Sequence, residues 1–191
     1  MPRKPRQEVP DGIYHVTARG NRQQRIFRMP DEFAFYLSLL SQARERFGLR
    51  VIAYALLPNH LHLLVRRSND SLARAMYHVQ RTFAVWRNRR YGQTGHLFQD
   101  RYFARLCEDE GYLWAVVRYV HQNPVEAGLA ASVQDYPWTS YHAYATQDWG
   151  VVDPTEALAL LGTARAVLDV SDIPGASDRR GTPARSAKLD A

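Results

Sequence analysis

His60 and His62 flank Leu61 in the run Pro58-Asn59-His60-Leu61-His62-Leu63-Leu64-Val65, which reads as a turn leading into a strand. Alternate residues of a strand face the same side, so the two imidazoles project together while Leu61 points the other way. Two neutral imidazoles a few Å apart form a ligand pair for a divalent metal. A bare His-x-His also describes two half-buried histidines on an edge strand, so a second constellation has to decide. Tyr119 and Asn123 are four residues apart and share one helical face. Tyr112 and Val116 lie on that face too, whereas Leu113, Val117 and Val120 form the core stripe. Asn123 offers a carbonyl oxygen as third ligand. A mixed N,N,O set with vacant positions suits Mg²⁺ or Mn²⁺ engaged with phosphate better than it suits closed structural zinc. Tyr119 supplies a phenol one helical turn away; the bland alternative is a packing tyrosine with its hydroxyl in water. His15, His78, His96, His121 and His142 have no partner at ligand spacing and read as structural or solvent-facing.

These residues need elements to position them. Residues 13–21 alternate as a strand, with Ile13, His15 and Thr17 on one face and Tyr14, Val16 and Ala18 on the other. Asp31 is placed to cap a helix carrying Phe33, Leu37, Leu40 and Ala43 at helical spacing, with Gly48 at its C-terminal cap. Residues 49–57 and 60–67 read as a hairpin turning at Pro58-Asn59. Ser71 caps a helix running to about Arg89, striped by Leu72, Met76, Val79, Phe83 and Trp86. Gly92 and Gly95 break it, and residues 95–107 read as a fourth strand. A third helix starts near Glu108, where acidic side chains suit the positive end of the helix dipole, and Pro124 ends or kinks it. The order β-α-β-β-α-β plus a helix predicts an α+β, ferredoxin-like split βαβ fold, an antiparallel sheet with helices on one face. Residues 1–150 are expected to form this domain. Residues 151–191 are expected to be an extension with one short helix in 154–168 and a disordered polar tail. The aromatic run 135–144 is expected to be a turn and loop packed back on the core.

Composition narrows the partner. The 191 residues are 46% hydrophobic, enough for a real core, with a net charge of +6. No apolar run approaches the roughly 18–20 residues that span a bilayer, and no apolar stretch follows the basic N-terminus, so neither membrane nor secretion is expected. Cys107 is the single cysteine, which excludes an internal disulfide and fits a cytoplasmic, nucleoid-associated setting. Charge is polarised: residues 66–105 hold nine arginines against Asp70 and Asp100, whereas 106–170 hold nine acids against Arg118 and Arg165. A guanidinium fork donates two parallel hydrogen bonds to phosphate, so this distribution points to nucleic acid. The loop Arg19-Gly20-Asn21, with Arg22 and Arg25, is a candidate contact, Gly20 permitting close backbone approach to DNA. Arg66, Arg67, Arg87, Arg89, Arg90, Arg101 and Arg105 are candidate phosphate contacts, and Tyr102, Phe103 and Trp138 candidate stacking partners for unpaired bases.

His60-Leu61-His62 followed 57 residues later by Tyr119 resembles the HUH-type single-tyrosine (IS200-like) transposases. More narrowly, RGNRQQRIF (19–27), YALLPNHLHLLV (54–65), GHLFQDRYFARL (95–106), RYVHQNPVEAGL (118–129) and DYPWTSYHAY (135–144) resemble REP-associated tyrosine transposases. Five ordered blocks are more specific than any one of them. The resemblance implies an HUH nuclease fold, a Mg²⁺- or Mn²⁺-dependent cut in single-stranded DNA, and recognition of hairpins formed by palindromic repeats. By position it implies His60 and His62 as metal ligands, Asn123 as third ligand and Tyr119 as nucleophile, in a monomer or a homodimer. Three other readings share parts of these features. They are a hairpin-binding protein without nuclease activity, a small-molecule metallohydrolase, and a replication initiator or relaxase. The second would need a larger barrel with further histidines and acids, and the third usually carries histidines and tyrosine in the opposite order.

Overall fold

The computed structural model describes residues 9–67 and 70–163. Four strands, β1 (Ile13–Arg19), β2 (Arg50–Leu56), β3 (His60–Arg66) and β4 (Phe103–Leu106), form one antiparallel sheet in the order β2-β3-β1-β4. With helices α1 (Pro30–Phe47) and α2 (Leu72–Arg90) this is the expected split βαβ arrangement. Period-two alternation sorts the side chains. Tyr14, Val16 and Ala18 of β1 and Leu61, Leu63 and Val65 of β3 are buried against α1 and α2. His15, His60, His62 and Leu64 fall on the opposite face.

Helices on a single face describe α1 and α2 only. Helix α3 (Glu110–Glu126) covers the other face, where Leu113, Val116, Val117 and Val120 pack on Ile52, Ala53, Ala55, Leu57 and Leu64. The small side chains of Ala53 and Ala55 let this helix approach β2 and β3. Val116 therefore belongs to the core rather than to the face carrying Tyr119.

Local chemistry explains the boundaries. Ser71 caps α2 as expected, its hydroxyl accepting from the Arg74 amide at 3.1 Å. Gly48 takes the left-handed conformation after α1 at φ 67°. At the start of α1, Glu32 displaces Asp31 as the cap, its carboxylate accepting from the amides of Arg28 and Met29. Asp109 caps α3, accepting from the Tyr112 amide at 2.8 Å, so the helix begins after Glu108. Pro124 sits inside the last turn of α3 without ending it, the helix running on to Glu126. The fourth strand is much shorter than 95–107: residues 95–102 form a loop packed beside Gly20, with Asn21 N donating to Leu97 O at 2.8 Å.

The run 135–144 does pack back on the core, ending in helix α4 (Tyr141–Thr146), and protects the free edge of β2. Leu56 N donates to Trp138 O at 2.9 Å and Ser140 N to Tyr54 O at 2.9 Å, while the hydroxyls of Tyr136 and Tyr144 donate to Leu56 O and Ile52 O, both at 2.8 Å. Val152 then bridges Val51, and helix α5 (Pro154–Thr163) follows, with Val151, Val152 and Ala157 in the main core. The expected disordered tail lies outside the described residues, as does the end of the helix expected over 154–168.

Candidate active site

The site is built where α3 crosses the end of the β2–β3 hairpin. Leu57 N donates to His60 O at 2.9 Å, closing the Pro58-Asn59 turn. Pro58 O accepts in turn from Ile26 N at 2.6 Å and Phe27 N at 3.0 Å, so the loop after β1 clamps the turn. His60 and His62 project from one face as their spacing predicts, with ring centroids 5.2 Å apart. Helix α3 delivers Tyr119 onto the pair: its ring meets that of His62 edge-on at 5.2 Å. Asn123, 7% exposed, places Oδ1 at 3.2 Å from His60 Nε2, and its amide also hydrogen-bonds to the Tyr119 phenol. Helix periodicity and strand alternation thus bring all four residues together within one chain.

Two neighbours were not read from the sequence. Asn59 Oδ1 lies 2.8 Å from His60 Nδ1, on the side away from Asn123. His15 Nε2 lies 3.1 Å from His62 Nδ1, with the two rings stacked at 5.3 Å and 22°. His15 was expected to be structural or solvent-facing because spacing along the chain shows only local partners. The available signal was sheet order: β1 beside β3 puts His15 and His62 on one face, as diagonal neighbours two residues out of register.

Electrostatics favour neutral histidines. Burial pushes His62 well below the ordinary imidazole range, with His15 and His60 adding repulsion. Burial also lowers His60, against a smaller opposing contribution from Asn123, and brings His15 to about 4. Neutral rings are what metal ligation requires. Tyr119 is shifted the other way: burial and the negative charge of Glu126 raise its pKa, partly offset by the Asn123 amide and Arg19. The phenol is therefore protonated near neutrality, and the protein alone does not activate it.

The donor set fits a divalent cation. With His60 Nδ1–H donating to Asn59 Oδ1, the neutral ring turns its Nε2 lone pair toward Asn123 Oδ1, another acceptor. With the ring proton on Nδ1 the two acceptors stand 3.2 Å apart, an arrangement a divalent cation would satisfy; with the proton on Nε2 the same contact is an ordinary hydrogen bond to Asn123 Oδ1. Among the described residues no three His, Cys, Asp or Glu side chains form a metal-holding group. A closed zinc site is not formed here, and an N,N,O set leaves positions for phosphate oxygens.

The candidate DNA contacts divide by location. Arg19 stands opposite His60 in the β1–β3 register, and its charge reaches His60, His62 and Tyr119. Arg22 and Arg25 are exposed in the adjoining loop, Arg22 in a left-handed conformation at φ 51°, while Asn21 is half-buried. Arg101 is exposed, and Arg105 opposes His15 on β4 with its guanidinium 4.6 Å over the Tyr112 ring. Arg66 and Arg67 lie at the far end of β3, where Arg66 Nε binds Glu156 at 2.7 Å and Nη1 donates to Asp11 O at 2.8 Å. Arg89 is exposed on α2, and Arg90 pairs with Asp31.

Two assignments are corrected. Arg87 is fully buried and donates to Ile26 O at 2.9 Å, Arg25 O at 2.8 Å and Gln93 Oε1 at 3.0 Å, so it belongs to the scaffold, not to a phosphate contact. Gly20 makes its close approach to the chain itself: a Cβ there would sit 2.1 Å from Gln24 O. Of the candidate stacking residues, Trp138 stacks on Phe33 at 4.7 Å and Tyr102 is buried, whereas Phe103 is half exposed on β4.

The chain belongs to the IS200-like transposase family, whose model, "Transposase IS200 like", matches residues 8–123. Transposases act on DNA, and the chain is accordingly an enzyme of that kind. Among curated proteins it is 25% identical over 155 residues to the "Putative REP-associated tyrosine transposase" of Haemophilus influenzae, covering 73% of this chain and 88% of the relative. Among solved structures it shares its fold with a REP-associated tyrosine transposase bound to a REP hairpin. That match has TM-score 0.64 and 17% identity over 81% of this chain and 90% of the other. Among the described residues no helix is long and apolar enough to cross a membrane.

Proposed function

We propose that the chain is a metal-dependent endonuclease and strand transferase for single-stranded DNA, acting beside hairpins formed by palindromic repeats. The observation that carries this is the meeting of Tyr119 with the histidine pair, 5.2 Å from the His62 ring and linked through Asn123 to His60. His60, His62 and Asn123 would hold Mg²⁺ or Mn²⁺. When bound, such an ion would withdraw charge from the scissile phosphate and ease loss of the phenolic proton nearby. Tyr119 Oη attacks phosphorus, forming the Tyr–O–P bond and breaking the P–O3′ bond; the phenolic proton leaves to solvent and the released 3′ oxygen takes one up. The product is a 5′-phosphotyrosine with a free 3′-OH. A second 3′-OH can reverse the step on a new strand, which makes the chemistry transfer rather than hydrolysis.

Burial and Glu126 raise the Tyr119 pKa more than Asn123 and Arg19 lower it, so a cation beside the phenol would favour its deprotonation. Arg19, Arg22, Arg25, Arg101 and Arg105 are the proposed phosphate contacts, being exposed and on elements that border the histidines. A hairpin partner is supported by the blocks shared with REP-associated transposases and by the fold shared with one bound to such a hairpin. Incubation of the purified chain with a hairpin-bearing single strand and Mn²⁺ should give a covalent adduct that survives denaturation and phenol extraction. Tyr119→Phe should abolish it, and EDTA should prevent it. An adduct that persists with Tyr119→Phe overturns the assignment, whereas hairpin binding without cleavage under any divalent metal favours a binding protein.

A further inference from the structure

We propose that His15 is a positioning residue for His62: its Nε2 accepts the hydrogen bond from His62 Nδ1–H and so holds His62 in the tautomer whose Nε2 is free for a divalent cation. This rests on the metal-site reading above.

A neutral imidazole carries one N–H, and a nitrogen that carries it cannot ligate. His62 is 6% exposed, and its Nδ1 faces His15 Nε2 at 3.1 Å with the rings nearly parallel. If His15 donated instead, His62 would present Nε2–H and be useless as a ligand. The same arrangement recurs at His60, whose Nδ1 faces Asn59 Oδ1 at 2.8 Å while Nε2 faces Asn123. Each histidine of the pair is thus engaged at Nδ1 by an outer partner, which directs both Nε2 atoms toward the site. Outer partners of this kind fix ring orientation as well as tautomer. His15 is well anchored for the task, because β1 is an inner strand paired on both sides, with Leu64 and Arg105 its two register partners. It also meets the Tyr119 ring edge-on at 6.0 Å, so its loss would loosen the wall behind both functional groups.

The test compares His15→Gln, which keeps an acceptor, with His15→Phe, which keeps the ring volume and stacking but has none. Mn²⁺ binding to the full chain is measured by electron paramagnetic resonance, and the His62 tautomer in metal-free protein by ¹⁵N ring shifts. His15→Phe should weaken Mn²⁺ binding about 10–100-fold and move His62 away from the Nδ1–H form. His15→Gln should recover most of the affinity at similar thermal stability. Unchanged binding in His15→Phe, or equal losses in both variants, overturns the proposal. Should the wild-type chain bind no Mn²⁺, the metal reading fails on its own. The tautomer then decides this inference separately: His62 resting as Nε2–H overturns it.

Discussion

Replacing Arg87 by methionine should destabilise the chain without altering its contacts to phosphate. The guanidinium is fully buried, with Nε and Nη2 satisfying the carbonyls of Ile26 and Arg25 and Nη1 reaching Gln93. Hydrogen bonds from a charged donor contribute about 1.5–3 kcal/mol each, and a buried carbonyl left without a partner costs about 1–3 kcal/mol. Removing the arginine also relieves the cost of burying a charge, which offsets part of the loss. The expected net is about 3–5 kcal/mol, or a fall in Tm of roughly 6–20 °C for a chain of this size. The same loop donates Ile26 N and Phe27 N to Pro58 O, so slackening it should loosen the turn that carries His60. Arg89→Ala, at an exposed position of the same helix, is the control and should change stability by less than about 0.5 kcal/mol. Thermal unfolding and the salt dependence of hairpin binding separate the alternatives. A phosphate contact would reduce the slope of log K against log salt by about 0.7–0.9. An Arg87→Met variant with unchanged Tm and a reduced slope would refute the scaffold role.

Gly20→Ala should distort the loop after β1, since the added carbon meets the Gln24 carbonyl and backbone cannot yield as a flexible side chain can; limited proteolysis should find new cleavage within residues 21–27. Glu126→Gln removes a negative charge that raises the Tyr119 pKa, so adduct formation should reach its maximum rate at lower pH than in the wild type; an unshifted or upward-shifted profile contradicts that electrostatic role. Burial lowers His121 to about 4 where its Nε2 meets Ser140 Oγ at 2.7 Å. The folded pKa lies below the unfolded value of about 6.5, so the stability contributed by the neutral ring is present above that value and lost as pH falls from about 6.5 toward 4, by up to about 1.4 kcal/mol per pH unit. Urea unfolding at about pH 7 and pH 5 should show a smaller pH effect in His121→Asn than in the wild type, and equal effects would exclude the assignment.

Much of the fold was legible because its signals are local. Strand alternation placed His60 with His62 and apart from Leu61, helix periodicity placed Tyr119 with Asn123, and Ser71 and Gly48 marked helix ends through backbone chemistry confined to a few residues. What failed locally failed for a reason of the same kind. Glu32 overrode Asp31 because two amides lay within its reach, and the fourth strand shortened because its ladder with β1 ends at the Thr17–Phe103 pair, the chain meeting that stretch again through Gln99 to Arg19 and Phe98 to Gly20. Arg87 shows the limit of composition: a charge in a basic stretch reads as surface until the loop that wraps it is known.

The sequence by itself determined which residues are candidate ligands and candidate nucleophile and how they face within each element, since 2.0 and 3.6 residue periods require nothing beyond the chain's neighbours. Only the tertiary structure decided that α3 crosses to the face opposite α1 and α2, that Asn123 closes on His60, and that His15 stands behind His62. Those relations depend on sheet order and on which surface the small side chains of Ala53 and Ala55 leave open to a helix. Both are settled by burial of apolar area across distant segments, a property no window of sequence contains.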